Sequence, residues 1–532
     1  AVAVRPLHGG LDADEQDAAI RPTAATRVIL ATNLAETTLT VPDVVIVVDS
    51  GLHKVARYDA ERAIDSLETE RVSQDSADQR AGRAGRLQAG VAIRLWDARD
   101  RLRPHREPEI ARVDLASTVL DLIAWGGSPK TFDWFDAPPA PSIDRALDVL
   151  HRLGAIDREG RLTEVGRNLE RLPLHPRLGR ILLAAQAAPE AARACALLSE
   201  RHLVPPRRGA TTCDLLAAVD REQALPPHVL NVAREIRESF RAATGMAPAA
   251  QIDDESFRRA VLAAYPDRVA RRRTPKGDRL VLASGTGAKL ARESGVHNAE
   301  FLVAVDVTAG TSAPGAEALV RLATGIEREW LTPTATEVVH SIDAEGVVRA
   351  TRVERYDQLA LSEHPVKVDP DVAARLVADE YVARGPAEDD QRLLNRIRFA
   401  GLGEEVTFGE LVGRAAIGAR RLSDVRIDAY LAPDLARRLD TDAPVWLPLP
   451  AGRRARLEYH DDGRVVAAVK LQHVVGLMAS PRLGPRRTAV TFELLAPNGR
   501  PVQVTSDLAS FWANAYPEVR KALKARYPKH DW

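Results

Sequence analysis

QRAGRAGR, residues 79–86, is a short basic segment that contains two glycines. At about 100° per residue on an α-helix, Gln79, Arg83 and Arg86 are predicted to share one helical face. Gly82 and the alanines beside it leave room for a ligand or a second domain to approach that face. Arginine donates two parallel hydrogen bonds to phosphate oxygens and keeps its charge at any working pH. The segment therefore predicts a phosphate-binding surface, although a solvated basic helix end would show the same pattern.

Apolar, β-branched runs lie upstream of this segment, at residues 27–31 and 44–49. Such runs separated by helical stretches are typical of a parallel sheet buried on both faces. Ligands of these sheets bind beyond the carboxyl ends of the strands. The loop at residues 32–40, which is rich in hydroxyl and amide groups, is predicted to occupy that edge.

Length, charge and cysteine content limit the class of protein that this sequence can form. A chain of 532 residues is predicted to contain several domains. Lys+Arg and Asp+Glu both number 74, so a nucleic-acid surface has to be a local concentration of charge. The two cysteines, Cys195 and Cys213, exclude a disulfide framework and a Cys-rich zinc site. The low cysteine content is consistent with a reducing cytoplasm, and no apolar run is long enough to span a membrane, so we expect a cytoplasmic protein with no membrane partner.

Several motifs resemble those of a known family. ATNLAETTLTVPDV at residues 31–44, VVDSG at 47–51 and QRAGRAGR at 79–86 resemble motifs V and VI of the DEAH-box RNA helicases. LHGGL at 7–11 resembles the stretch that precedes them in the second RecA-like domain. The resemblance implies an enzyme that binds ATP and single-stranded RNA.

The resemblance also implies roles for individual residues. Contacts to the RNA backbone fall on Gly9, Thr32 and Asn33. Contacts to the nucleotide fall on Thr38 and Thr40, and on Asp43 as a substitute for the acidic residue that many members carry where this chain has Pro42. Contacts to the attacking water and the γ-phosphate, the catalytic role, fall on Gln79, Arg83 and Arg86.

The sequence lacks the motifs that form the other half of an ATPase site. The sequence contains no G-x-x-x-x-G-K-[ST] and no Asp-Glu-x-His, the motifs that hold the ATP phosphates and Mg²⁺. Because the only methionines are Met246 and Met478, we expect a fragment whose first RecA-like domain lies before Ala1. That domain would supply the ligands for Mg²⁺, and none is expected here. The fragment alone is therefore predicted to be inactive.

The order of predicted elements suggests a multidomain protein of α/β, α and β parts. A helix around residues 115–123, a second at 142–154, a hairpin at 155–162 and a helix capped by Thr163 predict a winged helix. Strands at 279–283, 301–307, 337–342 and 347–353 predict an OB-like barrel. Strands at 490–495 and 501–505, turned at Asn498 and Gly499, belong to a later α+β region.

Two further features have alternative interpretations. Strands at 54–58 and 66–72 predict a hairpin, which either projects toward nucleic acid, as in the helicase family, or is a plain surface hairpin. The basic residues Arg268, Arg271, Arg272 and Arg273 either line an RNA exit or form a linker.

Five regions result from this reasoning: a second RecA-like domain truncated at its start (1–104), a winged helix (105–173), a helical ratchet bundle (174–266), an OB-like domain (267–362) and a C-terminal extension (363–532). The extension, which ends RPVQVTSDLASFWANAYPEVRKALKARYPKHDW, resembles that of the bacterial HrpB-type helicases. We therefore predict the C-terminal part of an RNA helicase that couples ATP hydrolysis to translocation and unwinding. The alternative is a non-enzymatic nucleic-acid-binding protein that uses the winged helix and the barrel alone.

Overall fold

The computed structural model describes residues 2–8, 11, 13–23, 25–37, 41–59, 64–97, 99–199, 209–220, 225–308 and 317–527. The chain forms two compact units. The first unit comprises Ala1–Ala335 and Glu354–Leu361, and the second comprises Thr336–Val353 and Ser362–Trp532. None of the helices within the described ranges is long and apolar enough to cross a membrane.

The first unit begins with two pairs of parallel strands. β1 (Ala3–Leu7) pairs with β2 (Arg27–Ala31), and β3 (Ile46–Asp49) pairs with β6 (Val91–Arg94). The helices of this region are α1 (Ala13–Ile20), α2 (Leu34–Thr37) and α3 (Gln74–Gly82). The alternation of strands and helices confirms the predicted RecA-like α/β domain.

The prediction that these strands are buried on both faces is wrong. Leu30, Ile46 and Val48 are 62%, 62% and 60% exposed. Successive side chains of a strand point to opposite faces, so covering a sheet completely requires helices on both sides. Within the described part of the chain, α1 packs on β1 and α3 packs on β3, and this covers only part of the strand surface.

The predicted hairpin is present, and it reaches a closed barrel. β4 (Leu52–Asp59) and β5 (Ile64–Arg71) are antiparallel, and Asp65 pairs with Thr308 of the barrel. The barrel closes in the order β7–β8–β9–β11–β10 and back to β7. Its strands are β7 (Val269–Arg272), β8 (Arg279–Leu282), β9 (Gly287–Leu290), β10 (Phe301–Thr308) and β11 (Ala318–Ile326).

The barrel confirms the predicted fold but only two of its predicted strands. Residues 337–342 and 347–353 lie instead in a separate three-stranded sheet. That sheet consists of β12 (Ala335–Ile342), β13 (Val348–Tyr356) and β14 (Leu359–Pro365). The barrel closes without them because β7, β9 and β11, which the sequence analysis did not identify, supply the remaining strand pairings.

Neither interpretation of the basic cluster holds for Arg268 and Arg272. Their exposed fractions are 8% and 7%. Arg268 Nη1 donates to the Val305 carbonyl at 3.1 Å, and Arg272 Nε donates to the Ala299 carbonyl at 2.7 Å. These side chains satisfy backbone acceptors of the barrel, so they are part of its structure.

The winged helix agrees with its prediction. Its helices are α4 (Ala116–Ala124), α5 (Ala140–Arg152) and α6 (Glu164–Glu170). Ile156 and Leu162 form the bridge of the hairpin, and Thr163 Oγ1 caps α6 by accepting a 3.0 Å hydrogen bond from the Gly166 amide.

A helical region follows the winged helix, as predicted. Its helices are α7 (Pro176–Ala184), α8 (Pro189–Ser199), α9 (Asp214–Val219), α10 (Pro227–Thr244) and α11 (Asp254–Ala264). They pack around a core that includes Ile181, Phe240 and Phe257. Cys195 and Cys213 are both buried and free.

The second unit contains an α+β domain. The predicted hairpin is confirmed, since β21 and β22 are antiparallel and Gly499 takes a φ of 82° at the turn. The helices are α12 (Pro370–Arg384), α13 (Glu388–Phe399), α14 (Phe408–Ala415), α15 (Pro433–Asp442), α16 (Leu508–Ser510) and α17 (Tyr516–Arg526). The strands are β15 (Trp446–Pro448), β16 (Arg454–Arg456), β17 (Glu458–Tyr459), β18 (Val465–Lys470), β19 (Arg482–Leu483), β20 (Thr488–Ala489), β21 (Thr491–Leu495) and β22 (Pro501–Thr505). The boundaries of the five predicted domains stay predictions.

Candidate functional site

The basic segment 79–86 begins on α3 and continues beyond it. The helix ends at Gly82, and the amides of Arg83 and Ala84 then donate to the carbonyls of Arg80 and Ala81 at 3.2 and 3.1 Å. The prediction of one helical face that extends to Arg86 is therefore wrong. Glycine is a poor helix former, and the pattern changes at Gly82 from i→i−4 bonds to tighter i→i−3 turns.

Arg80 is a residue of this segment that the sequence analysis missed. Its Nε donates to Glu36 Oε2 at 3.0 Å, and its Nη1 donates to Asp49 Oδ1 at 2.9 Å. Glu36 and Asp49 are only 3% and 5% exposed. Buried carboxylates are costly unless they are paired, and Arg80 provides the pairing for both. It thereby joins α3 to α2 and to the end of β3.

Glu36 accepts hydrogen bonds from three arginines. Its second carboxylate oxygen, Oε1, accepts from Arg106, which also donates to Ser76 Oγ at 3.2 Å. Its backbone carbonyl accepts from Arg83 Nε at 2.9 Å and also from Arg83 Nη2. Charge-assisted bonds of this kind are stronger than neutral ones. The four-residue helix α2 is therefore attached to the basic segment at both the side chain and the backbone of Glu36.

Arg83 and Arg86 are near enough for their charges to interact, and their role in phosphate binding stays a prediction. The pKa of Arg83 is lowered, first because burial disfavours its charged form and then because the positive charge of Arg86 is nearby. The charge of Glu36 acts in the opposite direction. Gln79 is exposed on the last turn of α3, four residues before Arg83. The three residues predicted to be catalytic thus occupy consecutive turns of one short segment.

Gly90 packs tightly against the backbone near the end of the basic segment. A Cβ built on Gly90 would lie 1.9 Å from the carbonyl oxygen of Ala84 and 2.7 Å from that of Val45. Both atoms belong to the backbone, so no side-chain rotation would relieve the contact. Gly90 therefore allows the chain after the basic segment to pass directly between Ala84 and Val45.

Thr32 and Asn33, two of the residues predicted to contact RNA, immediately precede α2. The Thr32 amide donates to the Leu7 carbonyl at 3.1 Å, and the Asn33 carbonyl accepts from the Glu36 amide at 3.0 Å. Both side chains are exposed at the strand edge where the loop was predicted. Gly9, Thr38 and Thr40 lie outside the described residues.

Asp43, predicted to contact the nucleotide, is exposed and has a φ of 60°. This left-handed conformation is one that Asp tolerates better than most residues, and it marks a tight turn before β3.

Sequence reasoning missed Glu36, Arg80 and Arg106 as members of the site. Glu36 and Arg80 carry a weak signal, because each lies inside a motif quoted for other residues. Arg106 carries none, since it lies 70 residues from Glu36 in the chain.

Comparisons with known families identify three parts of the chain. Residues 1–88 match the helicase conserved C-terminal domain, and residues 146–174 match the winged-helix helicase associated domain HA2. Residues 413–532 match the HrpB family of ATP-dependent helicase C-terminal domains. The fold and the arginine segment thus define a helicase in which a RecA-like domain precedes a winged helix.

Comparisons with individual relatives identify the type of helicase. The chain is 32% identical over 576 residues to the ATP-dependent RNA helicase HrpB of Escherichia coli K12, an alignment that covers 100% of this chain and 68% of that protein. It is 40% identical over 191 residues to the ATP-dependent RNA helicase HrpA of the same organism, covering 34% of this chain and 15% of HrpA. The chain belongs to the HrpB-type DEAH/RHA helicases.

Comparisons with solved structures also match HrpB-type helicases. A crystal structure of the E. coli DExH-box NTPase HrpB matches with a TM-score of 0.57 and 29% identity, covering 100% of this chain and 68% of that one. A crystal structure of the E. coli DEAH/RHA helicase HrpB matches with a TM-score of 0.60 and 29% identity, covering 100% and 70%.

Proposed function

We propose that this chain forms the arginine side of the ATP site in an RNA helicase that couples ATP hydrolysis to movement along single-stranded RNA and to duplex unwinding. The observation that carries the proposal is the pair of hydrogen bonds from Arg83 to the carbonyl of Glu36. Glu36 lies between Thr32 and Asn33, proposed for RNA, and Thr38 and Thr40, proposed for the nucleotide. A displacement of α2 would therefore move Arg83, and a displacement of Arg83 would move α2.

In this proposal the arginines act on the reacting phosphate. Arg83 and Arg86 neutralise the charge that develops on the transferred γ-phosphoryl group, and Gln79 orients the attacking water. Burial and then the charge of Arg86 lower the pKa of Arg83, and an anion bound beside the two arginines would relieve their repulsion. A guanidinium group keeps its positive charge at any working pH.

The remaining contacts of the proposed site come from residues other than Gln79, Arg83 and Arg86. Thr38, Thr40 and Asp43 contact the nucleotide, while a P-loop domain outside the 532 residues binds the ATP phosphates. Mg²⁺ would be held by those phosphates and by acidic residues of the same P-loop domain. Gly9, Thr32 and Asn33 contact the RNA backbone, which carries no sequence information.

The test compares two sets of variants in the complete protein. ATP turnover is measured with Mg²⁺, with and without single-stranded RNA. The double variant Thr32→Ala/Asn33→Ala should lose RNA stimulation and keep its turnover without RNA. Arg83→Ala should lose turnover under both conditions while its RNA affinity stays normal. A wild-type protein that binds RNA but shows no RNA-stimulated turnover would favour the non-enzymatic alternative.

A further inference from the structure

A basic segment of the second unit has no role in the proposed ATP site. Residues 444–487 contain eight Lys and Arg against three Asp and Glu, whereas the whole chain has 74 of each. Such a concentration of charge in a neutral protein indicates a surface that attracts anions.

The centre of this surface is a short hairpin. In the pairing of β15 with β16, Trp446 lies opposite Arg456, and Pro448 lies opposite Arg454. Arg454 and Arg456 flank the buried Ala455, so both side chains point to the exposed face of the hairpin, about 6.7 Å apart along the strand. The guanidinium carbon of Arg454 lies 4.4 Å from the centre of the Trp446 ring, and the indole remains 43% exposed.

A second group of basic residues lies beside the hairpin. β16 packs next to β18, which ends at the exposed Lys470. A Cβ on Gly476 would lie 3.7 Å from Pro450, which places the chain after His473 against the hairpin turn that carries Arg453. The pKa of His473 is lowered first by burial and then by the charges of Arg453 and Lys470, which agrees with the three groups being neighbours.

The positive charges of this surface are largely uncompensated. Across the described residues, no carboxylate forms an ion pair with Arg453, Arg456 or Lys470. Other exposed arginines of the same unit are paired, for example Arg438 with Glu405 at 2.7 Å. Like charges held together without partners repel one another, and an anionic ligand removes that cost.

We propose that this surface, the Trp446 face, binds single-stranded RNA independently of base sequence. The face consists of the aromatic Trp446, the neutral imidazole of His473 and four cationic side chains: Arg453, Arg454, Arg456 and Lys470. The cations contact successive phosphates, and the exposed indole stacks on one base. This combination of stacking and phosphate contacts is the usual mode of sequence-independent single-strand binding. The face belongs to a different compact unit from Thr32 and Asn33, so it is a second RNA contact.

The test measures binding of a fluorescent oligouridine of about 12 nucleotides to the full chain without nucleotide, from about 50 to 300 mM salt. Arg454→Gln/Arg456→Gln should weaken binding about tenfold and reduce the slope of log affinity against log salt by about 1.4, since two phosphate contacts are lost. The matched control is Arg384→Gln/Arg392→Gln, which removes two exposed arginines of the same unit that are paired with Glu380 and Glu388. The control should leave affinity and slope unchanged.

Variants of the ring test the stacking contact. Trp446→Ala should weaken binding about tenfold, and Trp446→Phe should restore most of the affinity. Circular dichroism and melting temperature establish that each variant is folded. The proposal fails if the folded arginine variant keeps the wild-type affinity and salt slope, or if the control variant loses as much affinity. It also fails if polyglutamate competes as well as oligouridine at equal charge, because the face would then bind any polyanion.

Discussion

Arg80 Nε donates a 3.0 Å hydrogen bond to Glu36 Oε2 across 44 residues of the chain, and both side chains are largely buried. The backbone carbonyl of the same Glu36 accepts from Arg83. One arginine of the basic segment thus holds the side chain of Glu36, and the next holds its backbone. Because α2 is only four residues long, these contacts fix its orientation relative to α3.

Removing Arg80 should destabilise the first unit. Arg80→Ala would leave Asp49 as a buried charge without its ion pair, a change that costs about 3–5 kcal/mol in comparable cases. We expect a clearly lower melting temperature and, in the complete protein, weaker RNA binding and lower ATP turnover. The control is Arg94→Ala, which removes a half-exposed arginine paired with Asp78 and should cost less than about 1 kcal/mol. If the two variants melt at the same temperature, the buried network contributes little to stability.

Arg83 should affect the chemical step more than folding. In the complete protein, Arg83→Ala should lower turnover by about 10³-fold or more, with a much smaller change in nucleotide affinity. Arg83→Lys should not restore turnover, because lysine lacks the two-pronged geometry. Turnover, nucleotide affinity, RNA affinity and melting temperature are measured on the same preparation. Near-normal turnover, or an unfolded protein, would remove the case for a catalytic arginine.

Gly90 should tolerate no side chain. Gly90→Ala places a Cβ against two backbone carbonyl oxygens, so the chain has to move and the segment that carries Arg83 and Arg86 moves with it. We expect both a lower melting temperature and lower turnover in the complete protein. Gly82→Ala is the matched control, since its Cβ would meet nothing within 4 Å and alanine favours the helix by about 1 kcal/mol. A Gly90→Ala protein as stable as this control would contradict the geometry.

The 532-residue chain alone should hydrolyse no ATP. Its sequence contains no P-loop, and the arginines by themselves cannot position the phosphates and Mg²⁺. Turnover is measured with Mg²⁺ and single-stranded RNA, with Arg83→Ala as the control for a contaminating ATPase. Turnover by the chain that disappears in Arg83→Ala would show that the chain contains a complete site.

The stability of the winged-helix region should fall in acid because of Asp114. Burial alone would raise the pKa of Asp114, but His175, whose Nε2 lies 3.8 Å from Asp114 Oδ1, and the charge of Arg177 outweigh it and lower the pKa to about 2. Since the folded pKa is below the ordinary 3.8, this contribution is complete above about pH 5 and is lost as the pH falls toward 2. It amounts to roughly 2 kcal/mol.

The measurement is the melting temperature between about pH 6 and pH 3. Asp114→Asn should be less stable at pH 6 and show a flatter profile, whereas the exposed Asp144→Asn should follow the wild type. Parallel profiles for wild type and Asp114→Asn would exclude Asp114 as the origin of the acid sensitivity.

The sequence by itself determined the kinds of elements and their order. The parallel strands, the hairpin at β4 and β5, the winged helix and its Thr163 cap all follow from patterns within a few residues of one another. Periodicity, caps and turn residues act locally, so they can be read without the fold. The motifs likewise indicated Gln79, Arg83 and Arg86 as catalytic residues, and this role stays a prediction.

Only the tertiary structure decided which distant groups meet. Arg80 and Arg106 reach Glu36 across 44 and 70 residues, and Arg268 and Arg272 turn inward to carbonyls of the barrel instead of lining a channel. The barrel likewise closes through β9 and β11, whose pairing joins residues 288 and 318. The sequence alone does not show whether an arginine side chain faces water, a phosphate or a buried carboxylate. Its partner is set by the packing of segments far apart in the chain, because a buried charge is stable only where that packing supplies an opposite charge or a free carbonyl.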